Sequence, residues 1–442
     1  MAIFQIASST SYPSLKVLFR LSVSVLLMFF SSVGCHASSG KGKQNALAAT
    51  WEGTEPVSSR YFGLHIKWRS SESSWPSVPV GGWRLWTSWP QIEGQKGQFD
   101  FTKVDEYLRA AEQHDTQVII TLGYTPGWAS SRPNQSCLAG PGGCAAPRNL
   151  EDWRVYVRRV AERYKGHIFY YEVWNEASYD GFYKGSVPQI VELARLAYET
   201  LKQVDPRIQV LSPSATGASG LQWFRKYLEA GGGNYADAIS YHFYVFPLPP
   251  EPMYPLVQQV RNEMARYGVA TKPLWDTEFG WINVKLSERD QAAYAVRALL
   301  LDRAAGVDRA FFYEWGTRAP QTVFMTEEDG KTPTMAGRAY SVVQDWMTGS
   351  IVKRCLSKDV PPVSRASHAL WICELQRDRK PAWIVWNPDG IATYKIPPEY
   401  LVEQVQGIDA TIYSLPKSRE IPISPAPVLL SPRGWIGAKA RN

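Results

Sequence analysis

Eight short β-rich runs separated by helical patterns set the strongest constraint on what this chain folds into. They cover residues 61–68, 83–89, 117–123, 169–174, 209–212, 238–244, 273–277 and 309–314. Helix starts stand between them: Ser186 precedes Pro188, and Ser287 with Asp290 reads as a capping box before a helix ending near Gly306. Each connection is long enough for a helical crossover, so neighbouring strands are expected to run parallel. Eight parallel strands with intervening helices close into a (β/α)8 TIM barrel, an α/β fold. An open doubly wound sheet competes with it, but no glycine-rich phosphate loop follows the first run.

The barrel is assigned to residues 51–345. Beyond Trp346 the helical period stops, and short alternating runs at 369–375, 382–386, 392–396, 410–415 and 427–430 predict a C-terminal all-β accessory domain over 346–442. The first 35 residues read as an export signal, with Lys16 and Arg20 around an apolar stretch that ends in small residues. Two processing routes stay open, lipidation of Cys35 after Ser32-Val33-Gly34 or cleavage after Ala37. Residues 36–50 have the composition of a flexible tether. The expected location is therefore periplasmic, extracellular or surface-tethered, with membrane contact only through a lipid at Cys35.

With Cys35 set aside, Cys137 with Cys144 and Cys355 with Cys373 form two sequence-local pairs suited to an oxidising compartment. No Cys/His spacing resembles a zinc site, and no metal or other cofactor is expected. The net charge of +7 is scattered along the chain without a basic arm, so nucleic acid is not an expected partner. Tryptophan is abundant, at 18 copies, and indole faces in a polar cleft are platforms for the apolar faces of sugars.

Two of the runs end in a glutamate: Tyr170-Tyr171-Glu172-Val173-Trp174-Asn175-Glu176 and Pro273-Leu274-Trp275-Asp276-Thr277-Glu278-Phe279-Gly280. A carboxyl at the C-terminal end of a barrel strand points into the face where such barrels do chemistry, and two of them can flank one glycosidic bond. Cleavage of that bond needs a proton donor for the departing oxygen and a carboxylate for the developing positive carbon. Glu176 and Glu278 fit these roles. The amide of Asn175 can bind a ring hydroxyl, and Arg84 in Gly82-Trp83-Arg84-Leu85-Trp86 can pair with Glu278 and keep it ionised. Tyr124 and Trp128, in the loop after the third run, offer stacking surfaces, and a Cys137–Cys144 bridge would order that cleft wall. Glu172 and Asp276 lie four and two residues before the two glutamates and are expected deeper on the same strand faces.

These motifs resemble clan A glycoside hydrolases, most closely family 39, over roughly residues 51–345. The resemblance implies that Glu176, on the fourth strand, is the acid/base and Glu278, on the seventh, the nucleophile of a retaining double displacement. It further implies substrate or nucleophile contacts from His242 and Tyr244 on the sixth strand, and an aromatic floor from Trp315. The expected substrate is a β-linked glycoside or polysaccharide, such as an exopolysaccharide or hemicellulose. A non-catalytic carbohydrate-binding surface lipoprotein on the same barrel, or a transglycosidase, are the alternatives. The sequence leaves oligomeric state open.

Overall fold

The computed structural model describes residues 52–67, 74–282, 284–316 and 323–435. The expected export signal with Cys35, the tether, Trp51 and Trp68 lie outside the described residues. Among the described residues no helix is long and apolar enough to cross a membrane.

Nine strand segments make one parallel sheet: β1 (Phe62–Ile66), β2 (Gly82–Arg84), β3 (Gln117–Leu122), β4 (Tyr170–Val173), β5 (Gln209–Leu211), β6 (Ala215–Thr216), β7 (Ile239–His242), β8 (Leu274–Phe279) and β9 (Arg309–Trp315). Their order is β5-β4-β3-β2-β1-β9-β8-β7-β6. β5 and β6 are two pieces of one barrel strand, broken at residues 212–214. The broken strand closes the sheet: Leu211 bridges Ala238, and the Ser212 amide donates to the Ala238 carbonyl at 3.1 Å. Eight strands thus complete the (β/α)8 barrel. They are buried on both sides, which explains why they read as continuous apolar runs rather than alternating ones.

The helices are α1 (Trp89–Ile92), α2 (Thr102–Gln113), α3 (Leu150–Arg163), α4 (Val187–Val204), α5 (Leu221–Glu229), α6 (Met253–Arg266), α7 (Glu288–Ala305) and α8 (Met335–Met347). Ser186 and Gln189 form a reciprocal capping box on α4. At α7 only half of the expected box forms. Ser287 Oγ accepts from the Asp290 amide, but the Asp290 carboxylate takes the Ser287 hydroxyl rather than its backbone N–H. The second run is also shorter than expected. Ser88 and Pro90 start a helix there, so Trp89 belongs to α1.

The barrel interior is layered. Its floor is apolar, built from Ile119, Leu211, Ala238, Trp275 and Phe311, with Arg309 over the rings of Tyr170 and Trp275 at 4.7 and 4.4 Å. Gly63 and Gly82 make room for Phe311, since a Cβ at Gly63 would lie 2.2 Å from that ring. Above the floor the layer turns polar around Arg84 and Glu172.

After α8 the chain forms β10 (Ile351–Ser357), β11 (Trp371–Arg377), β12 (Lys380–Trp386), β13 (Ala392–Lys395), β14 (Gln404–Gly407), β15 (Ile412–Ser414), β16 (Glu420–Ile423) and β17 (Val428–Ser431). Six of them make the antiparallel sheet β10-β11-β12-β17-β14-β15, and β13 pairs with β16. Cys355 and Cys373 face each other across β10 and β11 and are bridged. The sheet packs on the barrel through polar anchors: Trp346 Nε1 donates to Gln406 at 2.6 Å, and Trp386 Nε1 donates to Glu251 at 2.8 Å. Glu251 also pairs with Arg297 of α7 at 3.2 Å. Helix α7 is consequently buried nearly all round, between barrel and sheet.

Candidate active site

Every sequence-derived polar candidate converges at the C-terminal ends of the barrel strands. Arg84, the last residue of β2, is the hub. Its Nε donates to Glu172 at 2.6 Å, its Nη1 to Glu278 Oε2 at 2.9 Å and its Nη2 to Asn175 Oδ1 at 2.7 Å. Glu172 sits below, fully buried, and also accepts from Thr121, Ser240 and Thr277. Burial alone would raise its carboxyl, but Arg84, His242 and the hydroxyl donors outweigh burial and lower it. Glu172 therefore serves as the fixed anion that orients Arg84.

Glu176 reaches the mouth because strand alternation stops after Val173. Trp174 and Glu176 adopt left-handed backbone, φ 66° and 44°, a conformation costing roughly 1–3 kcal/mol each in ordinary residues. Ser214 takes the Glu176 amide at 2.9 Å, so the break in the fifth strand holds this turn. The Glu176 carboxylate lies 3.0 Å from His242 Nδ1.

Glu278 is re-aimed in a second way. The pairing of β8 with β9 shifts register between Asp276 and Phe279, a bulge that breaks the two-residue repeat. Thr277 then faces the barrel interior, where it meets Glu172 and Ser240. Asp276 points instead to the helix layer and Asp302 of α7. The expectation that Asp276 shares the face of Glu278 is corrected by this bulge. Gly280 lets β8 pass close to β9, because a Cβ there would stand 2.7 Å from the Tyr313 carbonyl oxygen.

Both oxygens of Glu278 are occupied, Oε1 by the Tyr244 hydroxyl at 2.9 Å and Oε2 by Arg84. Burial raises its carboxyl above the usual range, and it prevails over the lowering effects of His242, Arg84 and the Tyr244 hydrogen bond, with the charge of Glu176 raising it further. Burial also acts on Glu176, but there the hydrogen bond and charge of His242, with Thr216 and Arg84, bring the carboxyl below the usual range. Arg84 lowers Glu278 as expected, but the net shifts run Glu278 up and Glu176 down. The imidazole beside Glu176 and the depth of Glu278 are the physical reasons.

Tyr124 lies in the same group and shares a hydrogen bond with Asn175. Burial raises its phenol, so it stays protonated. Trp128 is placed elsewhere: its indole N–H donates to the Glu93 carbonyl at 3.0 Å, and its ring packs against Trp89. Trp315 is 1% exposed in the main core and presents no open face. An open indole is offered by Trp86, 44% exposed, edge-on to Tyr313 and His65 at 5.6 and 5.8 Å. Sequence reasoning missed His65, whose Nε2 is 2.9 Å from the Thr277 carbonyl and 3.9 Å from Glu278 Oε2. Burial and the nearby Arg84 lower this imidazole, so it is neutral and donates from Nε2 to that carbonyl. A histidine at the end of the first strand was its only sequence signal.

A carboxylate oxygen of Glu176, a ring nitrogen of His242 and a carboxylate oxygen of Glu278 all lie within 4.8 Å of one another. Among the described residues this is the only His/Cys/Asp/Glu cluster compact enough to suggest a cation site. A cation there would meet the Arg84 guanidinium and displace donors already bound to Glu278, so the cluster fits a carboxylate dyad and not a set of metal ligands.

A family model described as glycosyl hydrolase catalytic core matches residues 173–340, and one described as glycosyl hydrolase family 10 matches residues 86–211. The barrel is therefore similar, over these segments, to glycosyl hydrolase catalytic cores. Similar solved structures share this barrel fold. One is a family 39 glycoside hydrolase from Bacteroides cellulosilyticus WH2, 18% identical, covering 80% of this chain and 76% of its own, TM-score 0.65. Another is a family 39 β-xylosidase from Caulobacter crescentus, 16% identical, covering 86% and 97%, TM-score 0.59. Endo-1,4-β-xylanase A of Humicola insolens is 28% identical over 154 residues, 33% of this chain. The chain spans 37% of the length of that curated relative.

Proposed function

We propose that this protein is a retaining β-glycosidase with Glu278 as nucleophile and Glu176 as acid/base. The observation that carries the reading is the close approach of the two carboxylates, within 4.8 Å. Retaining enzymes hold these groups about 5–5.5 Å apart, whereas inverting ones leave roughly 6.5–9.5 Å for a water.

In the first step a Glu278 oxygen bonds to the anomeric carbon as the glycosidic C–O bond breaks, and Glu176 gives its proton to the departing oxygen. His242 Nδ1, 3.0 Å from the Glu176 carboxylate, holds that carboxyl beside the departing oxygen. Esterification removes the charge of Glu278. In the second step Glu176 takes a proton from water, whose oxygen bonds to the anomeric carbon and releases the Glu278 carboxylate. Arg84 and Tyr244 hold the nucleophile in place, and Asn175 and His65 stand where ring hydroxyls would lie.

A β-linked xylose polymer or xyloside is the first substrate to try, since relatives of this fold carry xylanase and xylosidase names. Export is part of the proposal and is supported by the charged-apolar-small leader pattern and by two disulfides. The test is ¹H NMR of the first-formed anomer, from xylan, aryl β-xylosides and other β-glycans, with wild type, Glu176→Gln and Glu278→Gln. The expected outcome is retention of configuration and loss of turnover in Glu278→Gln. An inverted first product, or turnover surviving Glu278→Gln, overturns the reading.

A further inference from the structure

The C-terminal sheet reaches the mouth of the barrel through one buried carboxylate that the chemistry above does not use. Between β7 and α6 the chain runs Phe246-Pro247-Leu248-Pro249-Pro250-Glu251-Pro252. Four of these seven residues are proline, with a fixed φ and no N–H to donate, so the run is stiff and is tied to its surroundings chiefly by carbonyls and side chains. The Leu248 carbonyl accepts from Trp281 Nε1, just past β8, at 2.8 Å. Further along, Glu251 is fully buried and accepts from two sides. Trp386 Nε1, at the end of β12, donates to its Oε1 at 2.8 Å, and Arg297 Nη2 of α7 donates to its Oε2 at 3.4 Å. Arg297 Nη1 donates in turn to the Pro425 carbonyl, between β16 and β17, at 3.3 Å. The Trp281 ring meets Tyr294 of α7 edge-on at 5.1 Å, and Arg297 lies over that same Tyr294 ring at 4.9 Å. Both feet of the run therefore stand on α7, and one of them is shared with the sheet.

The run carries an open aromatic ring beside the reacting groups. Phe246 is 40% exposed and edge-on to Tyr244 at 5.4 Å, and the Tyr244 hydroxyl donates to Glu278 Oε1 at 2.9 Å. We propose that the C-terminal sheet is part of the mouth: Trp386 and Glu251 position the proline run, and the run presents Phe246 as a contact for the substrate chain. The surroundings of Glu251 favour this over plain packing. Trp371 stacks on Trp386 at 5.8 Å, with Tyr254 edge-on to Trp371 at 5.7 Å, so apolar contact alone already joins barrel and sheet there. A carboxylate in such a place is costly to bury unless it is paired, and what it adds is direction. Charge-assisted bonds fix the run in one register, where packed rings alone would let it slide. Without the Trp386 bond the run is held more firmly at Leu248 than at Glu251, and it pivots there and carries Phe246 away from Tyr244.

The contact role of Phe246 rests on the glycosidase reading, whereas the positioning role does not. Wild type, Trp386→Phe, Phe246→Ala and the double variant are compared by amide hydrogen exchange and by kcat and KM on xylotetraose. Phenylalanine at 386 keeps a ring and deletes only the N–H donor. Its expected effect is exchange faster by roughly tenfold or more at Phe246 and Leu248, with the amides of β7 and β8 exchanging as in wild type. Unchanged exchange at Phe246 and Leu248, or equal acceleration throughout β7 and β8, overturns the positioning role. If Trp386→Phe does not fold, Glu251→Gln decides, because its neutral amide holds Arg297 more weakly, and wild-type exchange in the run refutes the role.

Loss of an aromatic contact is worth roughly 2–13-fold, so Phe246→Ala should raise KM for xylotetraose by a factor in that range. Trp386→Phe should raise KM by part of that factor and leave kcat closer to wild type, a split that general destabilisation does not produce. Because Trp386 acts through Phe246, the double variant should have the KM of Phe246→Ala alone. A double-variant KM equal to the product of the two single effects, or wild-type KM in Phe246→Ala, overturns the contact role. Should the wild type turn over no glycoside, the glycosidase reading and the contact role fall together, and hydrogen exchange still decides whether the sheet positions the run.

Discussion

Arg84 Nη1 and Glu278 Oε2 are 2.9 Å apart, while the rest of the same guanidinium is fixed by Glu172 and Asn175. One planar cation thus joins the proposed nucleophile, the residue before the proposed acid and the buried anion beneath both. Arg84→Met should lower kcat/KM by about 10²-fold or more, as loss of a buried charge partner at a reacting group does. It should also move the acid limb of the kcat/KM profile upward. The charge of Arg84 lowers the Glu278 carboxyl, so without it burial raises that carboxyl further and the ionised nucleophile appears only at higher pH. An acid limb that stays put in this variant would mean that another group sets it.

His242 acts on both limbs: its charge lowers Glu278 too, so its loss should also move the acid limb upward, but its larger mark is on Glu176. Burial raises Glu176, but the hydrogen bond and charge of His242 are foremost among the effects that bring it down. His242→Asn removes the charge, so the Glu176 proton is retained to higher pH and the alkaline limb of kcat/KM should shift upward, at reduced kcat. A downward shift of that limb would contradict the assignment of Glu176 as the acid.

The loop closed by Cys137–Cys144 supports the segment that follows Glu176. The Leu138 amide donates to the Gly181 carbonyl at 3.0 Å, and the Lys184 amide donates to Cys144 O at 2.7 Å. Replacing both cysteines by serine should destabilise the protein by about 2–3 kcal/mol through the freed loop. Activity should fall with it, because Glu176 and the 178–184 turn lose their outer wall. A melting temperature equal to that of wild type would show that the bridge constrains nothing beyond the loop itself.

The strand ends carrying Glu176 and Glu278 were legible because buried barrel strands are apolar and their C-terminal carboxyls stand out against them. The aim of those carboxyls was not legible. It depends on left-handed backbone at Trp174 and Glu176 and on the bulge after Asp276, neither of which leaves a periodic trace. The same bulge sends Asp276 to Asp302, a helical aspartate that reads as surface charge until α7 is covered by the β-sheet. Exposure is likewise a tertiary property. Trp86 and Trp315 look alike as aromatic residues near strand ends, yet one is open and the other is core. In the C-terminal sheet β10, β14 and β16 escaped notice. β10 carries Lys353 and Arg354 across its middle, β14 (Gln404-Val405-Gln406-Gly407) holds a single apolar side chain, and β16 is interrupted by Pro422.

Trp86 is the open indole at the mouth, and on the proposed function it is expected to meet the sugar beyond the reacting one. Its indole stands at the end of β2, half open, braced by Tyr313 and by His65, which itself approaches Glu278. A sugar ring leaving the Glu278 side on a chain would pass this surface, whereas a small aryl glycoside would not reach it. Stacking of this kind contributes about 0.5–1.5 kcal/mol beyond simple area, so Trp86→Ala should cost roughly 2–13-fold in kcat/KM on an oligosaccharide. Activity on the aryl glycoside should change much less. Trp315→Ala offers the contrast: deleting a buried indole should destabilise the fold by about 3–5 kcal/mol whatever the substrate. Equal losses on both substrates in Trp86→Ala would mark it as a structural brace for His65, and the sugar-binding surface would then have to be sought at Phe246, the exposed ring edge-on to Tyr244 at 5.4 Å.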